Sequence, residues 1–378
     1  MERRIKRIFN FALLSLFLLY GVLQVIPVQS STVQKMQLYT DIDELHGTEP
    51  SYFVRTKNGT LIAWGGNTGG RIKSAFAIPY PYLARRTIAR GVADFSCGMF
   101  CAMYVDQEGV LWGWGALEGL LLTQAPSYRQ PVRIMENVKS ISVGYEHAMA
   151  IKTDGTLWTW GQNIRGELGR GFKDALNGEI LNNGKFYEPE KIMEHVQSVA
   201  VIDGISFAVT EGGDLYYWGN TAACLPKKVA SDAAAVSIAY LGAQPQYQYL
   251  TQDGTVFPLI LDEGAPSIDE TSESPLAVDV QELYNGGILK KDGSLWEWQE
   301  TGSGNKLLPI DEHVADTETS AFYLKTNGRL LIESKLGKLP ALPQSIYTVS
   351  PVLRNVILLV FFVKIIAVYI VRKRSAKL

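Results

Sequence analysis

One short pattern recurs through the middle of the chain and constrains its fold more than any other feature. Its clearest copy is SVGYEHAMAIKTDGTLWTWGQNIRGELGRG, residues 142–171. An alternating apolar run leads to Asp154-Gly155, and a second run, Leu157 to Trp160, leaves with aromatics at alternate positions. An Asx-Gly pair between alternating runs predicts a β-hairpin, with positive φ angles supplied at a two-residue turn. The pattern returns around Asn58-Gly59, Gly109, Gly213, Asp253-Gly254, Asp292-Gly293 and Asn327-Gly328. These seven turn glycines step by 50, 46, 58, 41, 39 and 35 residues, the spacing of a propeller blade and too long for a short solenoid repeat. A lone hairpin cannot bury both faces, whereas blades set in a ring bury them against one another and leave only short edges. The expected fold is therefore all-β, a seven-bladed β-propeller. A strand from Met36–Glu49 is expected to complete the last blade and close the ring.

The copy at 142–171 resembles the regulator of chromosome condensation (RCC1) repeat. Gly144, His147, Asp154-Gly155, Trp160-Gly161, Asn163 and Gly166-Glu167-Leu168-Gly169 fill that family's pattern. Trp64-Gly65, Trp114-Gly115 and Trp218-Gly219 match in part. The likeness decays toward the C-terminus, where Gln299 and Ser334 stand in place of glycine. It covers roughly residues 50–340 and implies a seven-bladed propeller with a binding role, His147 being a packed repeat residue. Guanine-nucleotide exchange is not implied. Secreted bacterial propellers of this repeat type, such as the β-lactamase-inhibitory proteins, are similar in kind and grip a protein on one face. A membrane-anchored bacterial-type member is the expectation.

The two ends carry the anchoring signals. Residues 1–30 read as a signal peptide or signal anchor: Arg3, Arg4, Lys6 and Arg7, the apolar run Ile8–Ile26, then Pro27 and a small-residue site ending at Ser30. Residues 352–371 are a 20-residue apolar stretch that would span about 30 Å as a helix. Arg372-Lys373-Arg374 follow, and by the positive-inside rule the tail 372–378 is cytoplasmic and the body outside. Lys364 lies inside the span, as a polar contact with another membrane protein or as a snorkelling lysine on a tilted helix. The domain reading is thus 1–30 signal or anchor, 36–345 propeller, 352–371 transmembrane helix and 372–378 tail.

Between the ends, residues 31–351 hold 26 Lys and Arg against 37 Asp and Glu, a net charge of −11. An acidic body repels phosphate backbones, so no nucleic-acid partner is expected. Cys97, Cys101 and Cys224 make no disulfide framework and read as free thiols. His46, His147, His195 and His313 have no ligand spacing, and no HExxH, GxSxG, Walker or dinucleotide motif is found. Asp41, Asp43 and Glu44, and Asp269, Glu270 and Glu273, lack an EF-hand register and read as solvated loops. Asn58-Gly59-Thr60 is formally a glycosylation acceptor and equally a hairpin turn. The eight tryptophans, all in second strands of repeats, read as inter-blade packing.

Catalytic residues, metal and cofactors are therefore all read as none. Departures from the repeat remain, because insertions map to loops that often bind. They are Arg71–Arg90, Phe172–Tyr187 and Leu261–Val278, and the first is favoured for Tyr80, Tyr82, Arg85 and Arg86, residue types enriched at binding hot spots. The expected function is a membrane-tethered extracytoplasmic scaffold that takes a protein partner on one propeller face. The alternatives are a glycan- or small-molecule-binding propeller, or a hydrolase, with its site in the central channel, and, less favoured, a guanine-nucleotide exchange factor.

Overall fold

The computed structural model describes residues 34–36, 42–48, 51–65, 83–98, 101–115, 120, 128–145, 147–176, 179–180, 185–202, 204–219, 223–241, 244–262, 265–267, 274–301, 304–319, 322–327 and 330–332. The expected signal segment 1–30, the transmembrane segment 352–371 and the tail 372–378 lie outside them. Among the described residues no helix is long and apolar enough to cross a membrane. Lys35–Glu333 forms one compact unit.

That unit is an all-β propeller. Six blades are four-stranded antiparallel sheets whose strands follow one another in the chain. Their innermost strands are Ile42–Thr48, Val92–Cys97, Val138–Val143, Val196–Ile202, Ala233–Leu241 and Val280–Tyr284, which number blades 1 to 6. Among the described residues only blade 3 is interrupted, by a two-stranded ribbon of Ala175–Leu176 and Glu179–Ile180 ahead of its outer strand. The sequence led us to expect seven blades of this kind. The structure shows six, and in place of the seventh a composite closing sheet. Val314–Thr319, Phe322–Lys325 and Leu330–Ile332 are joined there by Gln34–Met36 from the other end of the chain. The last repeat has decayed beyond Leu330–Ile332, so its fourth strand comes from elsewhere. Closure by an N-terminal strand is as expected, but the segment differs: Ile42–Thr48 is the inner strand of blade 1, not the closing strand. Each inner strand touches the next, and Ile42–Thr48 touches Val314–Thr319, so the ring is closed.

The hairpin turns differ from the expected two-residue form. In blade 3 the Gly155 amide donates to the Lys152 carbonyl and the Lys152 amide to the Thr156 carbonyl, at 3.0 and 2.9 Å. This is a three-residue loop, a type I turn closed by one left-handed residue. Only the glycine takes positive φ, 78° at Gly155. The Asx residue serves through its side chain instead: Asp154 Oδ1 accepts from the Thr156 amide at 3.0 Å and from its hydroxyl at 2.6 Å. Asn58 in blade 1 is used the same way by Thr60.

The turn glycine has a second duty. Its carbonyl accepts the first inner-strand amide of the following blade: Val92 to Gly59, Val138 to Gly109, Val196 to Gly155, Ala233 to Gly213, Val280 to Gly254 and Val314 to Gly293, all between 2.8 and 3.0 Å. Immediately before each donor sits a left-handed residue: Gly91, Asn137, His195, Asp232, Asp279 or His313. Asn, Asp and His are the side chains that best tolerate that conformation. His195 and His313 are thereby accounted for as backbone-shaping residues.

The core lies between blades. Met103, Val105 and Leu111 of blade 2 pack with Ile141, Ala148 and Trp160 of blade 3. Phe207 and Tyr217 of blade 4 pack with Ile238 and Tyr247 of blade 5. Each Met, Val, Leu, Ile or Phe side chain among them, removed from water, contributes about 1.5–3 kcal/mol. The tryptophans divide. Trp114, Trp160 and Trp218 are fully buried, and Trp160 Nε1 donates to Leu120 of the preceding blade at 2.8 Å. Trp112, Trp158 and Trp296 are half-exposed and bonded within their own hairpins, to Asp106, Thr156 and Ser294. The expectation of inter-blade packing for all eight is therefore corrected for Trp112 and Trp158, whereas Trp296 also packs against Leu250, Val256, Val280 and Ile288 where blades 5 and 6 meet.

Two adjacent glycines test the turn. A Cβ on Gly213, at φ 83°, would lie 3.2 Å from the Asp232 Cα and 2.9 Å from Gln252 Nε2. One on Gly212 would meet only a hydroxyl at 3.9 Å. Gly213→Ala should cost about 1–3 kcal/mol in urea unfolding and Gly212→Ala no more than about 0.5 kcal/mol.

Candidate functional site: the charged inner strands

All seven inner strands carry a β-bulge at one place. The register shifts between the first and third residues of each: Ile42/Glu44, Val92/Asp94, Val138/Ser140, Val196/Ser198, Ala233/Ala235, Val280/Glu282 and Val314/Asp316. A bulge re-aims the side chain that follows it. Four of these seven positions hold carboxylates, and they are consecutive round the ring: Glu282, Asp316, Glu44 and Asp94. The remaining three hold Ser140, Ser198 and Ala235. The charge at the centre is thus one-sided.

Where the third residue is Asp, its carboxylate reaches the next blade. Asp94 Oδ2 accepts from the Ile141 amide at 2.8 Å, and Asp316 accepts from the Leu45 backbone. Two positions further on, Ser96 takes the Val143 amide and Ser142 the Val201 amide, both at 3.0 Å. Glu44, one methylene longer, meets Arg55 instead, at 3.0 Å. Arg55 also pairs with Asp43 at 2.7 Å and donates to the Ala93 carbonyl of blade 2. His46 Nε2 lies 3.3 Å from both backbone polar atoms of Cys97.

Burial dominates the electrostatics. It pushes Glu44 up to about 8, with the Asp94 charge adding to the shift and Arg55 opposing it. Burial also raises Asp94, and lifts Asp316 to about 6. Asp316 Oδ2 is buried with no hydrogen-bond partner. Asp43 and Glu44 are therefore inner-strand residues, not the solvated loop expected of them. Asp41, Asp269, Glu270 and Glu273 lie outside the described residues. Among the described residues no group of three or more His, Cys, Asp and Glu side chains is placed to hold a metal ion.

The loop favoured from the sequence is placed only in part. Tyr80 and Tyr82 lie outside the described residues, as does Lys364. Arg85 and Arg86 fall in the outer strand of blade 1, Leu83–Ala89, where Arg86 is half-buried opposite Ala63. The inner-strand carboxylates were not singled out from the sequence. Two of them carry a signal nonetheless, since the first four repeats place the bulge residue, Glu44 and Asp94 among them, fifteen positions before the turn glycine.

The best-kept repeat also joins its blade to the next. His147 Nε2 meets Ser206 Oγ at 2.8 Å, and Ser206 Oγ and Trp218 Nε1 both donate to the Glu167 carbonyl, at 2.9 and 2.7 Å. Gly169 leaves no room for a Cβ, which would lie 2.9 Å from Trp218 Nε1. His147 is fully buried, and burial lowers it to about 4.

A family model for the regulator of chromosome condensation (RCC1) repeat matches residues 138–167, which include His147 and Glu167. The chain carries RCC1-type repeats. RCC1 domain-containing protein RUG3, mitochondrial, of Arabidopsis thaliana is 29% identical over 182 residues, 44% of this chain and 39% of that protein. The chain thus matches well under half the length of this relative. Two solved structures share the fold of the RCC1-type ring. Prp20p of Saccharomyces cerevisiae has a TM-score of 0.53 at 15% identity, covering 78% of each chain. Yeast RCC1 (Prp20) in complex with Kap60 has a TM-score of 0.54 at 14% identity, covering 78% of this chain and 76% of that one.

The shifted groups set a pH dependence. Glu44 keeps its proton in the folded state to about pH 8 but loses it near 4.5 when unfolded, so stability falls as pH rises through that window. Asp316 contributes the same sign between 3.8 and about 6. His147 opposes them, because the unfolded state takes up a proton below 6.5 that the folded state refuses down to about 4. Between pH 6.5 and 8 the Glu44 contribution is unopposed by His147. The melting temperature should fall across that interval, and Glu44→Gln should flatten most of the fall. An unchanged slope in that variant would refute the assignment.

Proposed function

We propose that this chain is a membrane-tethered binding propeller, held outside the cytoplasm by its apolar ends, that takes a protein partner on one face of the ring without acting on it as an enzyme. The observation that carries this reading is the division of the two faces. The tight turns between second and third strands are committed to neighbouring blades through their glycine carbonyls. Three of the six connections from third to fourth strands, which leave by the opposite face, are long: 66–82, 116–127 and 162–186. The other three, 220–222, 263–264 and 302–303, are short, and one long connection, 268–279, joins blades 5 and 6 on the turn face. The long insertions of blades 1 to 3 thus lie together on the face that the ring does not use for its turns.

Proteins of this fold offer precedent. Prp20p is described with its binding to Gsp1p and histones, and yeast RCC1 with Kap60. The body's charge of −11 speaks against a nucleic-acid partner. The topology rests on the apolar segments 8–26 and 352–371 and on the basic tail after the second.

A second reading has one observation in its favour. The arc of Glu282, Asp316, Glu44 and Asp94 suits a glycan or small cationic ligand at the ring's centre. Binding or turnover of such a ligand, lost in Asp316→Asn and Glu282→Gln, would establish it.

The scaffold reading is tested by a membrane-impermeant crosslinker on intact cells, followed by purification of the full-length protein. A reproducible protein partner is expected, reduced about tenfold or more when Tyr80, Tyr82, Arg85 and Arg86 are changed to Ala. Labelling of the body only after lysis would overturn the topology. Labelling of intact cells without any consistent protein partner would favour the second reading.

A further inference from the structure

The long connection of blade 3 is built like a fixed mount. The Asn163 side chain donates to the Phe172 carbonyl at 2.8 Å and accepts from the Leu168 amide at 3.0 Å. Its own carbonyl takes the Asp174 amide at 2.8 Å. Thr159 Oγ1 donates to the Leu168 carbonyl at 2.8 Å, and the Gly171 amide donates to Cys224 of blade 4 at 2.7 Å. So many bonds hold the loop rigid, yet what it displays is apolar. Phe172 is 41% exposed, and Leu225, which comes against Gly171 from blade 4, is 60% exposed. Tyr187 meets Phe172 edge-on at 5.3 Å, and Lys185 Nζ lies 4.3 Å above the Tyr187 ring.

The charge around this platform runs against that of the body. Glu167 and Asp174, the acids of residues 162–174, are buried at 5% and 3% exposure. The cations Arg165, Lys185 and Lys227 stay exposed. Lys227 lies two residues beyond Leu225 in the outer strand of blade 4, Ala223–Ala230. Glu188 and Glu190 are the exposed acids of the adjoining strand, and Glu190 is paired with Arg170 at 3.2 Å. A rigid aromatic and aliphatic surface rimmed by cations, on an otherwise acidic protein, has one complementary chemistry.

We infer that Phe172, Tyr187 and Leu225 form a docking platform for a protein segment that sets bulky apolar side chains beside carboxylates. The inference rests on the protein-binding reading above and names its surface and the kind of partner. It differs from the loop favoured from the sequence, which lies on blade 1.

The test uses the full-length protein in its membrane, with the photo-crosslinking residue p-benzoylphenylalanine at position 185 beside the platform. A second version carries it at position 80. Mass spectrometry then identifies the segment attached. The expected result at 185 is a partner segment with Asp or Glu flanking Leu, Ile or Phe. Its capture should fall about tenfold or more in Phe172→Ala with Leu225→Ser, and comparably in Arg165→Glu with Lys227→Glu. These side chains are exposed, so the variants should melt within a few degrees of the parent, which is checked alongside. Capture at 185 of a basic segment, or of residues 175–184 of the same chain, would overturn the platform. Capture at 80 but not at 185 would overturn it while leaving the scaffold reading standing. No capture of protein at either position would count against both.

Discussion

The ring depends on a hydrogen bond that belongs to no single blade. In each of six junctions a turn glycine gives its carbonyl to the first inner-strand amide of the blade that follows. The turn must therefore present a carbonyl outward at close range, which needs a left-handed residue and, at every junction but that of Gly155, brings the neighbouring blade close to where a Cβ would sit. At Gly59 a Cβ would lie 3.1 Å from the Val92 carbonyl, and at Gly254 2.9 Å from that of Val280. At these two turns glycine is thus selected twice over, by its φ and by the neighbour's approach. Such a bond adds about 1 kcal/mol net. What it does is fix spacing and rotation between blades, so that the larger apolar contribution from Trp114, Trp160 and Trp218 can be realised.

The inner strands follow from the same constraint. A left-handed residue before six of these strands and a bulge just inside each turn the strand's beginning toward the previous blade and the third side chain toward the next. The junction is then held by side chains, with Asp94, Ser96 and Ser142 reaching across to backbone amides. An Asp or a Ser fits that reach. Glu44 exceeds it, turns to Arg55, and is left as the carboxylate most disfavoured by burial. It sits in blade 1, beside the closing sheet, where the two ends of the ring meet.

Much of this was legible beforehand because it is periodic. The Asx-Gly turns at regular spacing sufficed for an all-β propeller, and the filled pattern at 142–171 for the RCC1-type repeat. The blade count was less so, because the hairpin is the part of a blade that leaves a mark on the sequence. Around Asn327-Gly328 a hairpin is present while the fourth strand, Gln34–Met36, lies nearly three hundred residues away. The turn type was misread since Asx-Gly serves both two- and three-residue loops, and only the Thr or Ser after the glycine, which bonds the Asx side chain, separates them. The carboxylate arc escaped notice because its members are single residues some forty positions apart. They become neighbours only when the ring closes.

The same physics distributes function over the fold. A face whose turns are engaged with the neighbouring blade can vary little, because each turn carbonyl has a partner at fixed distance. The opposite face carries the connections between third and fourth strands, which are not tied to the ring by turn carbonyls. Blade 3 shows how far this freedom extends. Its connection keeps the Gly-Glu-Leu-Gly segment against Trp218 for structural reasons, and only beyond it, at Phe172, does the chain turn an apolar side chain to solvent. Rigidity from the repeat and variability from the insertion therefore meet within a few residues. A preorganised anchor loses little conformational entropy when a partner arrives, so its exposed apolar area converts to affinity more fully than that of a mobile loop.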